Sequence, residues 1–500
     1  MQTSHPRANL ILGLVCCAIF LGAIDLTIVT AVLPGIMLDL NVSIDSDLNR
    51  AAWVISGYLL AYTISLSLMG RFSDLYGRRL SYLISLTVFI LGSLLVAVAP
   101  NLNSVIWGRV VQALGAGAIV PISMALVSDL YALQRRPIAL GVIGAVDTAG
   151  WMVGHLYGGV LMRAFDDWRL LFWINVPLGM VALGATWWAL SGVIVTRVKG
   201  RFDWLGALCI AGSITALNLG LSAGAELGQT DFYGERSAPS PYIWPLVGLA
   251  IVLLAAFIWW EGRSRDPLID LALFKRPNVA AASLLNLLLG FALAIALANV
   301  PIFVNTRLAL LHFDDPDILR KAAWDSGWLL SALTLSMAAA AVPGGWLGGK
   351  LGERLPAVFG LILAIVGFGL MSQWQADSGY LAMSIDLLLA GIGLGLLLSP
   401  IASLIIAAAD EHARGTASAL VISLRLVGMT IGIAIYTLWG VQRQDELRRA
   451  PDPLANSDPI SFLLNVAAQV VGETFLFALA ACLIALAFAF LLRPSNTKQA

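Results

Sequence analysis

Apolar stretches of about 20 residues, each long enough to cross about 30 Å of hydrocarbon, alternate with short polar segments along the whole chain. Fourteen such stretches predict helices at 8–34, 51–70, 80–99, 103–127, 138–162, 169–191, 205–224, 242–260, 279–305, 324–347, 357–374, 383–409, 417–447 and 462–492. Helix is the expected form because lipid offers no partner to open backbone groups. The first stretch follows Arg7, yet it runs past Asp25 to Pro34 without a small-residue cleavage site. It therefore reads as a retained helix rather than a removable leader. The last two stretches are too long for a bilayer, about 45 Å for about 30 residues. Residues 442–460 between them are polar and carry Pro451, Pro453 and Pro459. The pattern predicts a helical hairpin protruding on the outer side; amphipathic ends lying on the membrane surface are the alternative.

Composition agrees with this. Of 500 residues, 59% are hydrophobic and 12% charged. A soluble domain carries about 25% charged residues, so this chain has too few to cover its surface in water. The formal net charge is zero and gives no pointer to a nucleic-acid partner. The four cysteines, Cys16, Cys17, Cys209 and Cys482, lie in apolar stretches and read as small hydrophobes. Their spacing suggests neither a disulfide framework nor a metal site.

Charge distribution sets an orientation. With the N-terminus in the cytoplasm, inner segments hold about 18 Lys and Arg and outer segments about 10. The inner set includes Arg71, Arg78, Arg79, Arg135, Arg136, Arg197, Lys199, Arg201, Arg263, Arg265, Lys275 and Arg276. An even number of spans places the C-terminus, with Arg493 and Lys498, inside as well. The expected location is the plasma or inner membrane. Two inner loops resemble each other: Gly70-Arg71-Phe72-Ser73-Asp74-Leu75-Tyr76-Gly77-Arg78-Arg79 and Gly345-Trp346-Leu347-Gly348-Gly349-Lys350-Leu351-Gly352-Glu353-Arg354. They divide the chain into six-helix bundles at 1–191 and 279–500, separated by a two-helix insert with its linkers at 192–278. Such parallel repeats enclose a substrate cavity in transporters.

A charge at the bilayer centre costs at least about 2.5 kcal/mol, so each ionisable residue there needs a reason. Asp25 interrupts the first stretch, Asp147 lies about 14 Å into the fifth, and Arg425 lies at a similar depth in the thirteenth. Arg109 sits in the outer part of the fourth. Desolvation raises a carboxylate pKa and a nearby arginine lowers it, so an acid that alternates between those environments takes up and releases a proton. The alternative for both aspartates is a fixed, charge-paired structural role; for both arginines it is a structural counter-charge. His155, about 12 Å along the helix from Asp147, is a second-rank proton candidate or a packing histidine. Glu473 is either a second-rank proton site or an interfacial residue. Asn286 and Asn299 either face a cavity or bridge helices. The glycine runs at 115–117, 158–159, 344–345 and 391–395 let helices approach. None precedes the Lys-Ser/Thr of a phosphate loop. No nucleophile-and-base pair argues for an enzyme.

Together these features resemble the major facilitator superfamily, in particular its 14-helix drug:proton antiporters. Gly70, Asp74, Gly77, Arg78 and Arg79 are similar to the family's motif A, which implies a gating loop that latches the halves. Asp25 with Thr27-Ile28-Val29 and Leu33-Pro34 resembles the helix 1 signature, whose aspartate is protonated. Arg109-Val110-Val111-Gln112 resembles motif B, implicated in proton transfer, with Ala113 where glycine is usual. Trp168-Arg169, Phe172 and Asn175-Val176-Pro177 resemble the start of that branch's helix 6. Pro267-Leu268-Ile269-Asp270-Leu271 and Phe274 resemble its linker before helix 9. Gly150 to Gly159 resembles motif C, but His155 replaces the proline thought to limit leak. Asp147, Arg425 within Leu424–Met429 and the long last hairpin resemble actinobacterial exporters of triacylglycerides and drugs. That likeness implies a coupling set of Asp25, Asp147 and Arg425.

The expected fold is an all-α polytopic major facilitator fold. The expected function is proton-coupled export of hydrophobic or amphipathic compounds, drugs or membrane lipids, by alternating access. The competing reading is a proton-independent lipid transporter, scramblase or membrane receptor on the same fold. The proton gradient replaces any cofactor, and no metal is expected. Expected partners are a hydrophobic or lipid substrate, protons and the bilayer, with a periplasmic or surface lipid carrier as a further candidate; the protein is expected to be monomeric.

Overall fold

The structure, a computed structural model, describes residues 7–42, 44–165, 167–191, 200–226, 242–312, 318–410, 413–450, 452 and 454–492. The helices of the first half are α1 (Ala8–Asp39), α2 (Ile44–Tyr76), α3 (Arg78–Ala97), α4 (Leu102–Leu130), α5 (Arg136–Phe165) and α6 (Arg169–Ala189). The insert contributes α7 (Trp204–Glu226) and α8 (Ile243–Glu261). Then follow α9 (Pro277–Leu311), α10 (Ile318–Leu351), α11 (Arg354–Met371), α12 (Tyr380–Ala408) and α13 (Arg414–Ile435). A π turn at Tyr436–Gly440 joins α13 to α14 (Val441–Arg449), and the single-turn α15 (Leu454–Ser457) leads into α16 (Pro459–Ala489). Counting Arg414–Arg449 as one span, fourteen helical segments among the described residues are long and apolar enough to cross a membrane, as the sequence pattern requires.

Two boundaries differ from expectation in an informative way. The stretch 70–79 is not a loop: α2 continues through it to Tyr76. Ser73 Oγ donates back to the Gly70 carbonyl at 2.8 Å, and the helix ends only at Gly77, whose φ is +97°. A side chain there would be strained, so glycine is the natural stop between α2 and α3. The related stretch behaves alike. Helix α10 runs on to Leu351 and stops at Gly352, with φ +84°. The internal likeness is therefore one of helix ends, each broken by a left-handed glycine.

The chain forms two compact units. The first comprises Met1–Leu219, Trp244–Ala280 and Ala402–Ser423. Within it α1 lies against α5, and α4 packs on α2 and α3. A Cβ at Gly154 would sit 2.6 Å from the Ile24 carbonyl, so this residue permits the close α1–α5 approach. Ile28, Val32, Ile36, Val54, Val96, Val105, Trp168 and Phe172 share one core cluster. Arg169 and the Trp168 indole both donate to Asp39, tying the ends of α1 and α6. The hydrogen bond from Arg169 holds the Asp39 carboxyl below the usual aspartate range. In the insert, Ser213 Oγ donates to the Ala250 carbonyl at 2.8 Å, while Leu208, Ile251 and Val252 stay exposed, as suits lipid contact.

The second unit comprises Gly220–Ile243, Ala281–Ile401 and Leu424–Ala500. The 391–395 run serves two crossings at once: Gly391 and Gly395 abut α10 at Leu333 and Met337, and Gly393 abuts α11 at Gly360 and Ala364. Helix positions two apart point to different faces, which is why alternate glycines meet different neighbours. Phe303, Phe368, Trp374 and Phe475 form an aromatic core with neighbouring centroids 5.3–6.4 Å apart. The boundary between units cuts through α12 and α13, because residues 402–423 group with the first unit. The reason is the second cluster described below.

Candidate functional site

Two polar clusters lie in the first unit. The first surrounds Asp25 on α1, which is 1% exposed. Arg109 Nη1 on α4 lies 2.5 Å from Asp25 Oδ2, and its Nη2 donates to the Asp25 carbonyl at 3.2 Å. Gln112 Nε2 and Asn175 Nδ2 donate to Asp25 Oδ1 at 2.9 and 2.8 Å. Gln112 also accepts from Arg109 Nη1 at 2.7 Å and donates to Ser93 Oγ at 2.8 Å. The Arg109 guanidinium, itself 0% exposed, sits 3.8 Å from the Tyr58 ring centroid. Helices α1, α2, α3, α4 and α6 thus all supply a group. An ion pair so buried survives only with its remaining donors and acceptors matched, and here amides and an aromatic face supply most of that.

The second cluster surrounds Asp74 near the end of α2. Its carboxylate lies 2.5 Å from Arg78 Nη1 and accepts from Gly415 N (3.0 Å), Thr416 N (2.9 Å) and Thr416 Oγ1 (2.9 Å). These amides are in the first turn of α13, so a carboxylate sits on the positive end of a helix dipole. Arg78 continues the chain of charges to Asp129 Oδ2 at 3.2 Å, and Arg414 reaches Asp129 Oδ1 at 2.8 Å. The approach of α2 to α13 depends on two glycines, since a Cβ at Gly70 would overlap the Gly415 backbone. This web assigns residues 402–423 to the first unit.

The sequence candidates fall as follows. Asp25 and Arg109 meet; Asp74 and Arg78 share the second cluster, Gly70 lets α13 approach it, and Gly77 ends α2 beside it. Arg79 turns away from it and donates to the Trp187 carbonyl on α6 at 3.4 Å. Asp147 is buried on α5 at 4% exposure, and Arg425 lies on α13 in the second unit at 8%. His155 belongs to α5, but its side chain is outside the described residues. Asn299 bridges helices: Thr474 Oγ1 of α16 donates to it at 2.9 Å.

Glu473 holds the final hairpin together. It accepts from Arg443 Nε at 2.8 Å and Nη2 at 3.1 Å, and from Gln469 at 2.9 Å, pinning α14 along α16. Its side chain is 24% exposed, so solvent screens the pair. Glu473→Gln is expected to cost less than about 1 kcal/mol in thermal unfolding and to leave the pH profile of transport unchanged. A shifted pH profile would return Glu473 to the proton pathway.

Sequence reasoning did not mark Ser93, Tyr58, Asp129, Arg414 or Thr416 as site residues, and treated Gln112 and Asn175 only as parts of motifs. Buried amides in apolar helices were the available signal for Gln112 and Asn175. Asp129 and Arg414 lie just outside the apolar stretches 103–127 and 417–447, where charges are ordinary, although the helices themselves extend to include them. Among the described residues, no group of three or more His, Cys, Asp or Glu side chains is placed to hold a metal.

Comparison with known proteins follows the same lines. Residues 15–433 match the family described as Major Facilitator Superfamily. The triacylglyceride transporter of Mycolicibacterium hassiacum is 34% identical over 437 residues, covering 85% of this chain and 78% of the relative. That of Mycolicibacterium smegmatis is 31% identical, covering 97% of this chain and 87% of the relative. That of Mycobacterium tuberculosis is 34% identical, covering 86% and 82%. Among solved structures, the human organic anion transporter MFSD10 gives a TM-score of 0.63 at 15% identity, covering 96% of this chain and all of that one. The proton:xylose symporter XylE gives 0.57 at 12%, covering 95% and 94%. At those identities the solved structures speak for the fold. Family match, relatives and fourteen spans converge: this chain is a multi-pass membrane transporter belonging to the Major Facilitator Superfamily.

Proposed function

We propose that the protein is a proton-driven exporter of hydrophobic compounds, with neutral glycerolipids of the triacylglyceride class as leading substrate. The observation that carries proton coupling is the sealed Asp25–Arg109 pair. A proton arriving on Asp25 removes the negative partner of an arginine that is itself fully buried, so the pair's geometry must change with its charge. Asp147, also buried, is the second proton acceptor, and Arg425 completes the proposed coupling set. The Asp74 cluster is the gate: it holds α2 to the start of α13, and its release accompanies alternation between inward- and outward-facing states. The six-helix bundles 1–191 and 279–500 carry this alternation, with both termini in the cytoplasm.

The lipid reading is supported by relatives named as triacylglyceride transporters across most of this chain's length. A neutral lipid needs no counter-charge and enters sideways from the bilayer. Amphipathic drugs are the second substrate class.

The test is transport in proteoliposomes under an imposed pH gradient, with a fluorescent triacylglyceride and a small cationic dye as alternative cargoes. The gradient is expected to drive triacylglyceride movement, and a protonophore to stop it. Asp147→Asn is expected to lower gradient-driven transport about tenfold or more while downhill movement persists. Transport indifferent to the protonophore would favour a proton-independent lipid transporter; dye movement without lipid movement would replace the substrate class.

A further inference from the structure

The inner connections of the two-helix insert are built around two carboxylates that neither cluster uses. Glu261, the last residue of α8, is 4% exposed. Its oxygens accept from Leu268 N at 3.1 Å and Ile269 N at 3.3 Å, closing the linker back on the helix end. Asp203 caps α7 through Gly206 N at 2.9 Å and accepts the Trp260 indole N–H at 2.8 Å. A Cβ at Gly206 would lie 2.6 Å from Glu261 Oε1 and 2.9 Å from Asp203 Oδ2, so the start of α7 threads between the two acids.

The fastened linkers reach the end of α2, beside the Asp74 cluster, and the end of α12. On the α2 side, a Cβ at Gly200 would lie 3.5 Å from Leu75 Cδ2, and the Phe202 ring meets Phe72 edge-on at 6.4 Å. Arg71 on α2 lies within electrostatic range of Glu261. Asp266 ties the two linkers to each other by accepting from Arg201 N at 3.2 Å. On the other side, Asp270 caps the short turn Leu271–Lys275, and the next residue, Arg276, donates to the Ala408 carbonyl at the end of α12. One continuous set of contacts therefore runs from the end of α2, through the insert's linkers, to the end of α12.

We infer that the insert's inner linkers are a working part of the gate, and that Glu261 is the positioning residue that seats them against residues 70–79. A chain segment that bridges both partners of a latch changes the free energy of opening it without touching substrate. The buried acceptor at Glu261 closes the linker back on the end of α8: without it the Leu268 and Ile269 amides lose their partner and that part of the linker is free to lift away.

The inference rests on the gating role proposed above, so its test reads the linkage directly as well as through transport. Hydrogen exchange is measured on the full protein in lipid nanodiscs, together with turnover in proteoliposomes. In Glu261→Ala, amides in 262–270 are expected to exchange about tenfold faster, those in 70–79 several-fold faster and those of α16 unchanged. Turnover is expected to fall about three- to tenfold with KM held within about twofold, since substrate contacts are untouched. Glu261→Gln, which keeps one acceptor oxygen, restores part of both. Asp266→Ala, which removes the acceptor that ties the linkers together, gives the same pattern at smaller size and serves if Glu261→Ala does not fold. Faster exchange in 262–270 with 70–79 and turnover unchanged would overturn the inference, as would unchanged exchange in 262–270. A wild-type protein that moves no lipid, yet shows the exchange linkage, would count against the function proposed and leave this linkage standing.

Discussion

Asp25→Asn is expected to abolish gradient-driven transport, by about 100-fold or more, and to destabilise the protein by about 3–5 kcal/mol. Asp25 accepts from three side chains, and an amide offers a single acceptor oxygen while adding donors that face Arg109, Gln112 and Asn175. Worse, Arg109 stays charged at 0% exposure with its counter-ion gone. Loss of transport could then reflect a damaged fold alone, so a second variant separates the two. Asp25→Asn combined with Arg109→Met removes both charges, so no uncompensated buried charge is left, while the amide carbonyl that replaces the carboxylate can still accept from Gln112 or Asn175. The double variant is expected to regain its thermal midpoint in detergent but not its response to a pH gradient. If it still couples transport to protons, Asp25 is not the carrier.

Asp74→Asn should act on the gate rather than on the proton. The substitution removes charge from the start of α13 and leaves one oxygen to serve Gly415 N, Thr416 N and Thr416 Oγ1. Arg78 keeps Asp129, which it already shares with Arg414. A loss of about 2–3 kcal/mol from the held state corresponds to a population shift of about 30- to 150-fold. A cysteine reporter reads this. Ser67 faces Ser423 across the same contact, 3.0 Å apart, and is 8% exposed. With Cys16, Cys17, Cys209 and Cys482 replaced, Ser67→Cys should react with a hydrophilic maleimide at least about tenfold faster when Asp74→Asn is added. Unchanged labelling at wild-type turnover would remove Asp74 from the gate. Arg79→Ala is the internal control: this side chain reaches α6 instead of the cluster, so its removal should leave labelling near the parent rate.

These expectations separate what was legible in the amino-acid order from what was not. Asp25 and Arg109 announced themselves, since a charge amid leucine and valine must have a partner, yet their 84-residue separation gave no geometric hint that they meet. Asp74 was visible through its motif, but its ligands in α13 were not: Gly415 and Thr416 offer backbone amides, and every residue but proline has one. Arg78 and Arg79 are adjacent and chemically identical, and a helix turn of about 100° per residue sends one into the buried cluster and the other to α6. The 70–79 stretch looked like a loop because polar and charged residues normally mark membrane exits. It is mostly helix because those same side chains bond locally, Ser73 to Gly70 and Asp74 to Arg78.

By itself the sequence determined that the chain crosses a membrane fourteen times as helices, because apolar length and the solvation of backbone groups leave no other option. It also determined which charges must be buried. Only the tertiary structure decided how those charges are partnered, which glycines are crossings, and that the insert's linkers pack beside the end of α2. Hydrophobic periodicity is a property of neighbours along the chain, whereas an ion pair between α1 and α4, or a carboxylate on a distant helix end, depends on helix rotation and register that no local pattern encodes.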